Sequence, residues 1–163
     1  MKKTPFLIDE YGEWYYMGSK ITRKPMVKLF SSILTKDRDN TFHLRTPVED
    51  VLVEVIDAPY LVTSLDIVNN NNLTYISLTT NVGVQFIVGK NNPIWVEEKD
   101  SSEELIPYSL VKRGLIAKVT RPVYYELAGF LDTKNIKNIE HTGIYSGKDF
   151  FILDKPTLRN IFI

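Results

Sequence analysis

Between Val51 and Glu98 the chain writes five β-forming runs, "VLVEVI", "YLVTSLDIV", "LTYISLTT", "VQFIV" and "PIWVEE". They are broken by Asp57-Ala58-Pro59, by the asparagines at 69–72, by Asn81-Val82-Gly83 and by "GKNN". Runs of β-branched and aromatic residues between Asn, Gly and Pro turns specify strands joined in an antiparallel meander. So many strands cannot stand alone in water. They need a second layer or a helix to cover their apolar faces.

Two segments supply helices. In "TRKPMVKLFSSIL", Met26, Leu29, Phe30, Ile33 and Leu34 recur at helical spacing, and Pro25 sits in the first turn. "TRPVYYELAGFL" gives a second helix near residue 121, with Tyr124 on the Leu127 face and Tyr125 off it. "FLIDEYGEWYYM" reads as two short strands around Gly12, and Phe42 and Leu44 as a further strand ending at Thr46-Pro47. "PYSLVKRGLIAKVT" reads as strand with a bend or bulge at Gly114. "GIYSGKDFFIL" reads as a hairpin turning at Ser146–Asp149, and the apolar tail "PTLRNIFI" as a docked end. "EEKDSSEE" is a solvated loop.

The two helices carry an echo. A shift of 98 positions lays Ile21-Thr22-Arg23 on Val119-Thr120-Arg121 and Leu29 on Leu127. A shift of 109 then lays Phe42, Leu44 and Pro47 on Phe151, Leu153 and Pro156. This spacing predicts an internal duplication in an α+β fold, mostly antiparallel β with two helices. The halves are residues 1–58 and 59–163. Equivalent Thr-Arg helix starts would then face the junction between them.

Composition narrows the chemistry. Twenty basic residues balance twenty acidic ones, so the overall positive field of a dedicated nucleic-acid binder is missing. There is no cysteine, which removes disulfides, thiolate catalysis and cysteine metal sites. The N-terminus has no apolar stretch of signal length, and no run approaches a membrane span. These features fit a cytoplasmic protein without a membrane segment.

Several blocks together, "FLIDEYGEW", "MGSKITRKPMVKLFSSIL", "FHLRTPVEDVLVEVIDAPYLV", "LTTNVG" and "PYSLVKRGLIAKVTRPVYYEL…YSGKDFFIL", resemble the proteobacterial domain-of-unknown-function family 1285 from about Phe6 to Leu153. The resemblance implies a core built by duplication, with a C-terminal part superficially like a pleckstrin-homology domain. It also implies a pocket between the halves suited to a nucleotide-like ligand, and a signalling role. The chain departs from the family pattern at Tyr60, where Phe often follows Asp-Ala-Pro, and in its Asn-rich turn at 69–72.

Motif chemistry adds little. No phosphate loop, dinucleotide fingerprint, nucleophile elbow or zinc-protease motif occurs. His43 and His141 lie far apart in sequence, so neither a metal nor a cofactor is expected. Glu49, Asp50, Glu54 and Asp57 form an acidic cluster beside Thr46, where an acid–base pair competes with plain turn and surface roles. Arg23 and Arg121 each follow a Thr at a helix start, where a cation opposes the helix dipole. Each either pairs with a carboxylate such as Glu49 or Asp57, or joins helix N–H groups around an anion. Arg113 offers another positive group, while Lys20, Lys24 and Lys28 read as a solvated helix face.

The expected ligand-binding set is therefore Arg23, Thr46, Glu49, Asp57, Asn81, Arg113, Arg121 and Tyr125. The leading expectation is a non-enzymatic, regulatory protein holding a small anionic, nucleotide-like ligand between its halves. A protein-interaction adaptor with a protein partner, and a carboxylate-based enzyme, stay open beside it.

Overall fold

The computed structural model describes residues 4–100 and 102–163. The first unit contains β1 (Phe6–Ile8), β2 (Trp14–Tyr16), β3 (Ser19–Lys20), α1 (Lys24–Ile33), β4 (Leu34–Lys36), β5 (Phe42–Arg45) and β6 (Asp50–Val55). The second contains β7 (Tyr60–Asn70), β8 (Leu73–Thr80), β9 (Gln85–Ile87), β10 (Ile94–Glu98), β11 (Leu105–Lys112) and β12 (Leu115–Val119). Then follow α2 (Arg121–Ala128), β13 (Asp132–Ile136), β14 (Ile139–Ser146), β15 (Asp149–Ile152) and a 3-10 turn at Arg159–Ile161. The architecture is α+β with largely antiparallel sheets.

The duplication is written in the sheets. The first has strand order β3-β2-β1-β6-β5-β4 and the second β10-β11-β12-β7-β8-β9. In each, one three-stranded meander runs outward from the centre and the next runs back inward. The first and last strands then pair in parallel at the middle, Phe6 with Val53 in one sheet and Tyr60 with Ala117 in the other. Every strand of the first sheet thus has its counterpart six strands later.

The helices do not follow that rule. Helix α1 joins the two meanders of its unit, whereas α2 comes after the whole second sheet. Phe42 lies in the first sheet, while Phe151 lies in the separate three-stranded sheet β13-β14-β15. The shared Thr-Arg-Pro lettering therefore marks a common way to begin a helix from an extended strand, with Pro in the first turn of each. It does not mark equivalent positions. The C-terminal part is superficially like a pleckstrin-homology arrangement in placing a helix after its main sheet.

One continuous core draws on both units. Ile8, Trp14, Leu34 and Val53 of the first meet Tyr60, Val62, Leu78 and Val96 of the second. Val123 and Leu127 of α2 and Ile144 of β14 close it from the other side. Helix α1 faces the core differently from its predicted stripe. Val27 and Phe30 pack inward and Ser31 is buried, while Met26 and Leu29 remain on the solvent side. The face is set by Phe30, which lies in an aromatic group with Phe6 and Trp14 at ring separations of 5.2 and 6.0 Å. Leu34 owes its burial to β4, where it pairs with Leu44, and not to the helix.

The expected bend at Gly114 is a full reversal. Arg113 and Gly114 have φ of 45° and 75°, and Lys112 pairs with Leu115 across them. Two successive left-handed residues match the right-handed twist of a strand pair, so one predicted strand becomes the β11–β12 hairpin. Lys137-Asn138 turns the same way between β13 and β14, a hairpin half of which was missed in the sequence. The predicted turn after Ser146 is present. A Cβ on Gly147 would lie 2.5 Å from Tyr75 Cε1, and the Gly147 N–H reaches the Thr74 carbonyl at 2.7 Å. Ser146 Oγ also accepts the Ile76 N–H at 3.0 Å, tying the small sheet to β8.

Candidate functional site

The two units meet at the β1–β2 turn. Asp9 shapes it, its Oδ1 accepting the N–H groups of Tyr11 and Glu13 at 2.9 Å each. Gly12 takes φ of 75°, and a Cβ there would approach Leu61 Cγ to 3.0 Å and Asn81 Nδ2 to 3.3 Å. Asn81 is the joint on the other side. Its Oδ1 accepts the Leu61 N–H at 3.1 Å, and its Nδ2 donates to the Gly12 carbonyl at 3.5 Å.

A cleft opens on each side of this wedge. The larger, of about 680 Å³, lies between Glu10 and Tyr11 of the first unit and Leu61, Lys99, Glu104, Lys118, Thr120, Arg121, Tyr124 and Tyr125 of the second. The other, of about 520 Å³, lies between Glu13, Lys20, Thr22, Lys24 and Lys28 of the first unit and Asn81–Gly83 of the second. The three lysines that read as a solvated helix face thus line a junction cleft.

The predicted residues divide between these places. Arg121 opens α2 in the larger cleft, its side chain 72% exposed and its Nη2 3.1 Å from Glu104 Oε1. Tyr125 lines the same cleft and is itself 69% exposed. Asn81 faces the smaller cleft, and Arg23 caps α1 between two residues that line it, Thr22 and Lys24. Arg113 sits in the turn at the opposite end of β12 from Arg121, with the whole strand Leu115–Val119, about 16 Å long at ~3.3 Å per residue, between them. Thr46 and Glu49 belong to the β5–β6 turn, where Thr46 Oγ1 accepts the Glu49 N–H at 3.1 Å. The set expected in one cleft therefore occupies five places, the fifth being that of Asp57 beside Arg159, because the helix starts are not equivalent in the duplication.

The helix ends themselves offer an anion little. Pro25 and Pro122 have no N–H, and the Met26 and Val27 N–H groups are spent on the Arg23 carbonyl at 3.1 and 3.2 Å. Thr120 Oγ1 donates to the Val62 carbonyl at 2.8 Å instead of capping α2. Attraction for an anion must come from side chains: Lys99, Lys118 and Arg121 in the larger cleft, set against Glu10 and Glu104.

Asp57 has a partner the sequence reading did not find. Arg159, in the tail, donates to Asp57 Oδ1 at 2.9 Å and to Glu97 Oε1 at 2.8 Å. Tyr108 donates its hydroxyl to Asp57 Oδ2 at 2.6 Å, and Lys118 Nζ lies 3.8 Å from the same oxygen. Burial first, then the bond to Asp57, pushes the Tyr108 hydroxyl far above the ordinary phenol range. The carboxylate for Arg121 is Glu104 and the arginine for Asp57 is Arg159, so neither expected pairing of the helix-start arginines with Glu49 or Asp57 forms. A hollow of about 370 Å³ beside Arg159 shares Glu10, Lys99, Ile106 and Lys118 with the larger cleft.

The rest of the acidic cluster is engaged elsewhere. His43 Nδ1 lies 2.7 Å from Asp50 Oδ1 and its Nε2 lies 2.9 Å from Thr41 Oγ1, a spacing that imitates an acid–base–nucleophile triad. Thr41, however, gives its one proton to Asp39 at 2.6 Å, so it faces the ring as an acceptor. Arg45 closes the network, donating to Asp37 and Asp50 at 3.0 Å. Those bonds hold the Asp37 carboxyl below the usual range. This is an ion-pair cluster on the first sheet, outside both junction clefts. Among the described residues no group of three or more His, Asp or Glu side chains converges on a metal position. No helix there is long and apolar enough to cross a membrane.

The fold and these clefts define a class: a two-unit α+β protein, duplicated in its sheets, with solvent-open clefts where the units meet. Profiles of the two domains of family DUF1285 match the chain. The N-terminal domain of unknown function covers residues 2–58, and the C-terminal domain of the protein of unknown function covers 59–153. The chain belongs to the DUF1285 family. It is similar to a DUF1285 family protein from Silicibacter pomeroyi DSS-3, at 31% identity and a TM-score of 0.84, over 98% of this chain and 83% of that one. It is also similar to one from Shewanella baltica OS155, at 30% identity and a TM-score of 0.62, over 77% of this chain and 91% of that one. No curated protein matches it.

Proposed function

We propose that this chain is a non-enzymatic binding protein with a regulatory, signal-transducing role, and that its ligand is a small nucleotide-like anion held in the larger junction cleft. The observation that carries this reading is the wall made by Arg121 with Tyr124 and Tyr125, facing Tyr11 of the other unit. A guanidinium recognises a phosphate or carboxylate through a planar fork, and tyrosine faces accept a flat ring. Among the described residues the one carboxylate on Arg121 is Glu104, and the pair is solvent-exposed, so exchanging Glu104 for a ligand anion costs little. The volume of about 680 Å³ suits a small molecule. Because both units contribute to the wall, occupancy would bias their relative placement, which is what a regulatory role requires.

The test is a thermal-shift panel of nucleoside mono-, di- and triphosphates and phosphorylated metabolites. A ligand at a hundred times its Kd adds about 2.7 kcal/mol to the native state. In a chain of this size that is roughly 5–10 °C. If no anion in the panel raises Tm in a saturable way, the reading fails.

A further inference from the structure

The family profiles end at Leu153, so the tail from Asp154 onward lies outside them, while Asp57, Trp95, Glu97 and Tyr108, which receive it, lie inside. The seat is specific. Arg159 Nε and Nη2 form a fork on Glu97 at 3.1 and 2.8 Å, and Nη1 donates to the Asp57 carbonyl at 2.9 Å. The guanidinium also lies 4.8 Å from the centre of the Tyr108 ring. Three residues on, Phe162 stacks on Trp95 at 4.3 Å with the planes 11° apart. Trp95 and Tyr108 belong, with Ala58 and Ile116, to a satellite apolar cluster separate from the main core. One backbone hydrogen bond, from the Thr157 N–H to the Val96 carbonyl at 2.8 Å, ties the tail to edge strand β10. The tail is therefore held mostly by side-chain contacts, with Phe162 and Ile163 packed against that satellite cluster.

We propose that this groove is a docking site for a peptide segment carrying an arginine and, three residues on, an aromatic ring, and that residues 157–163 are its resident occupant. The chemistry of the seat selects the occupant. Without Arg159, the half-buried carboxylates of Asp57 and Glu97 face one another with Lys118 as the remaining cation, 3.8 Å from Asp57. A planar guanidinium satisfies both at once, and an ammonium cannot. Trp95 Nε1 donates to Glu97 Oε2 at 2.8 Å, which fixes the ring that Phe162 covers. The tether from Leu153 is short, so the tail competes in cis at an effective concentration of order millimolar. A second segment enters only when the tail lifts.

The first experiment uses the unmodified chain. Hydrogen exchange at the Thr157 amide should run at least about tenfold faster than at the β11 amides, because a docked segment opens locally. Exchange at Thr157 only through global unfolding would make the tail part of the core and overturn the proposal. The second uses the full-length Arg159→Ala, Phe162→Ala variant, whose seat is emptied without shortening the chain. Titration with a synthetic peptide of residues 156–163 should give saturable binding, read by tryptophan fluorescence. The same peptide with Arg159→Lys should bind about tenfold more weakly. No binding by a variant that keeps its circular dichroism, or equal binding of the lysine peptide, overturns the proposal. If the variant does not fold, hydrogen exchange in the unmodified chain decides alone.

Discussion

Replacing Gly12 by alanine tests whether the β1–β2 turn is the wedge between the units. Two costs are expected. At φ of 75° an L-residue is in the left-handed region, a strain of about 1–2 kcal/mol, partly offset by a stiffer unfolded chain. The added methyl would also meet Leu61 Cγ at 3.0 Å and Asn81 Nδ2 at 3.3 Å. Crowding of that kind in a packed contact costs about 1–3 kcal/mol. Gly18 supplies the control, because it has φ of 83° and nothing within 4 Å of a Cβ. Gly18→Ala therefore carries the strain alone. Urea unfolding of both variants should place Gly12→Ala about 1–3 kcal/mol below Gly18→Ala. That corresponds to a Tm lower by roughly 3–10 °C in a chain of this length. Equal stabilities for the two variants would mean that the turn does not press on the second unit, and the description of the junction would fall.

Three further outcomes follow from the interior and from the ion pairs. Ser31 is buried in α1 and its Oγ has no hydrogen-bond partner, so Ser31→Ala should raise stability by about 1 kcal/mol; a loss of stability in urea unfolding would show that the hydroxyl is satisfied. Leu127 is fully buried beneath α2, and Leu127→Ala should cost about 2–5 kcal/mol, whereas a change below about 0.5 kcal/mol would mean that α2 does not cover the core. The Thr142 N–H, and then His141, hold the Asp154 carboxyl below the usual range. A depressed carboxylate stabilises the fold above the ordinary aspartate range, and that contribution disappears as pH falls through it. Asp154→Asn should therefore flatten the fall of the urea midpoint between about pH 5 and pH 2, and an unchanged fall would remove the linkage.

How far the sequence could be read depended on the kind of signal. Turns carried by Asn or Gly were legible. Asn71 and Asn72 adopt φ of 51° and 65° where "NNNN" predicted a turn, and Gly147 turns β14 into β15. The turn through Arg113 was read as a bend because an arginine at φ of 45° gives no compositional warning. The helix stripe was misplaced by one position because a ten-residue helix flanked by strands takes its face from the aromatic group around Phe30. The duplication lies in strand order, a property of pairing between distant segments, while the letters that suggested it belong to non-equivalent helix starts. The exposure of Tyr125 was legible from its place off the apolar stripe, since local periodicity decides which side of a helix is wet. Arg159 was not found, because only the folded chain brings it to Asp57 and Glu97, which lie 102 and 62 residues away in sequence. Its one trace in the sequence is a lone arginine inside an apolar tail.

The proposed anion site is the larger cleft, against Arg121, and not the lysines of the smaller one. The direct measurement is isothermal titration of the best nucleotide from the panel into the unaltered chain, Arg121→Lys and a Lys24→Ala, Lys28→Ala variant. Losing one charge-assisted bond is worth about 1.5–3 kcal/mol, so Arg121→Lys should weaken binding by roughly tenfold to a hundredfold with little change in stability. The lysine variant should bind as the unaltered chain does, apart from a small salt-dependent loss. Weaker binding in the lysine variant with Arg121→Lys unaffected would move the site across the wedge and contradict the account.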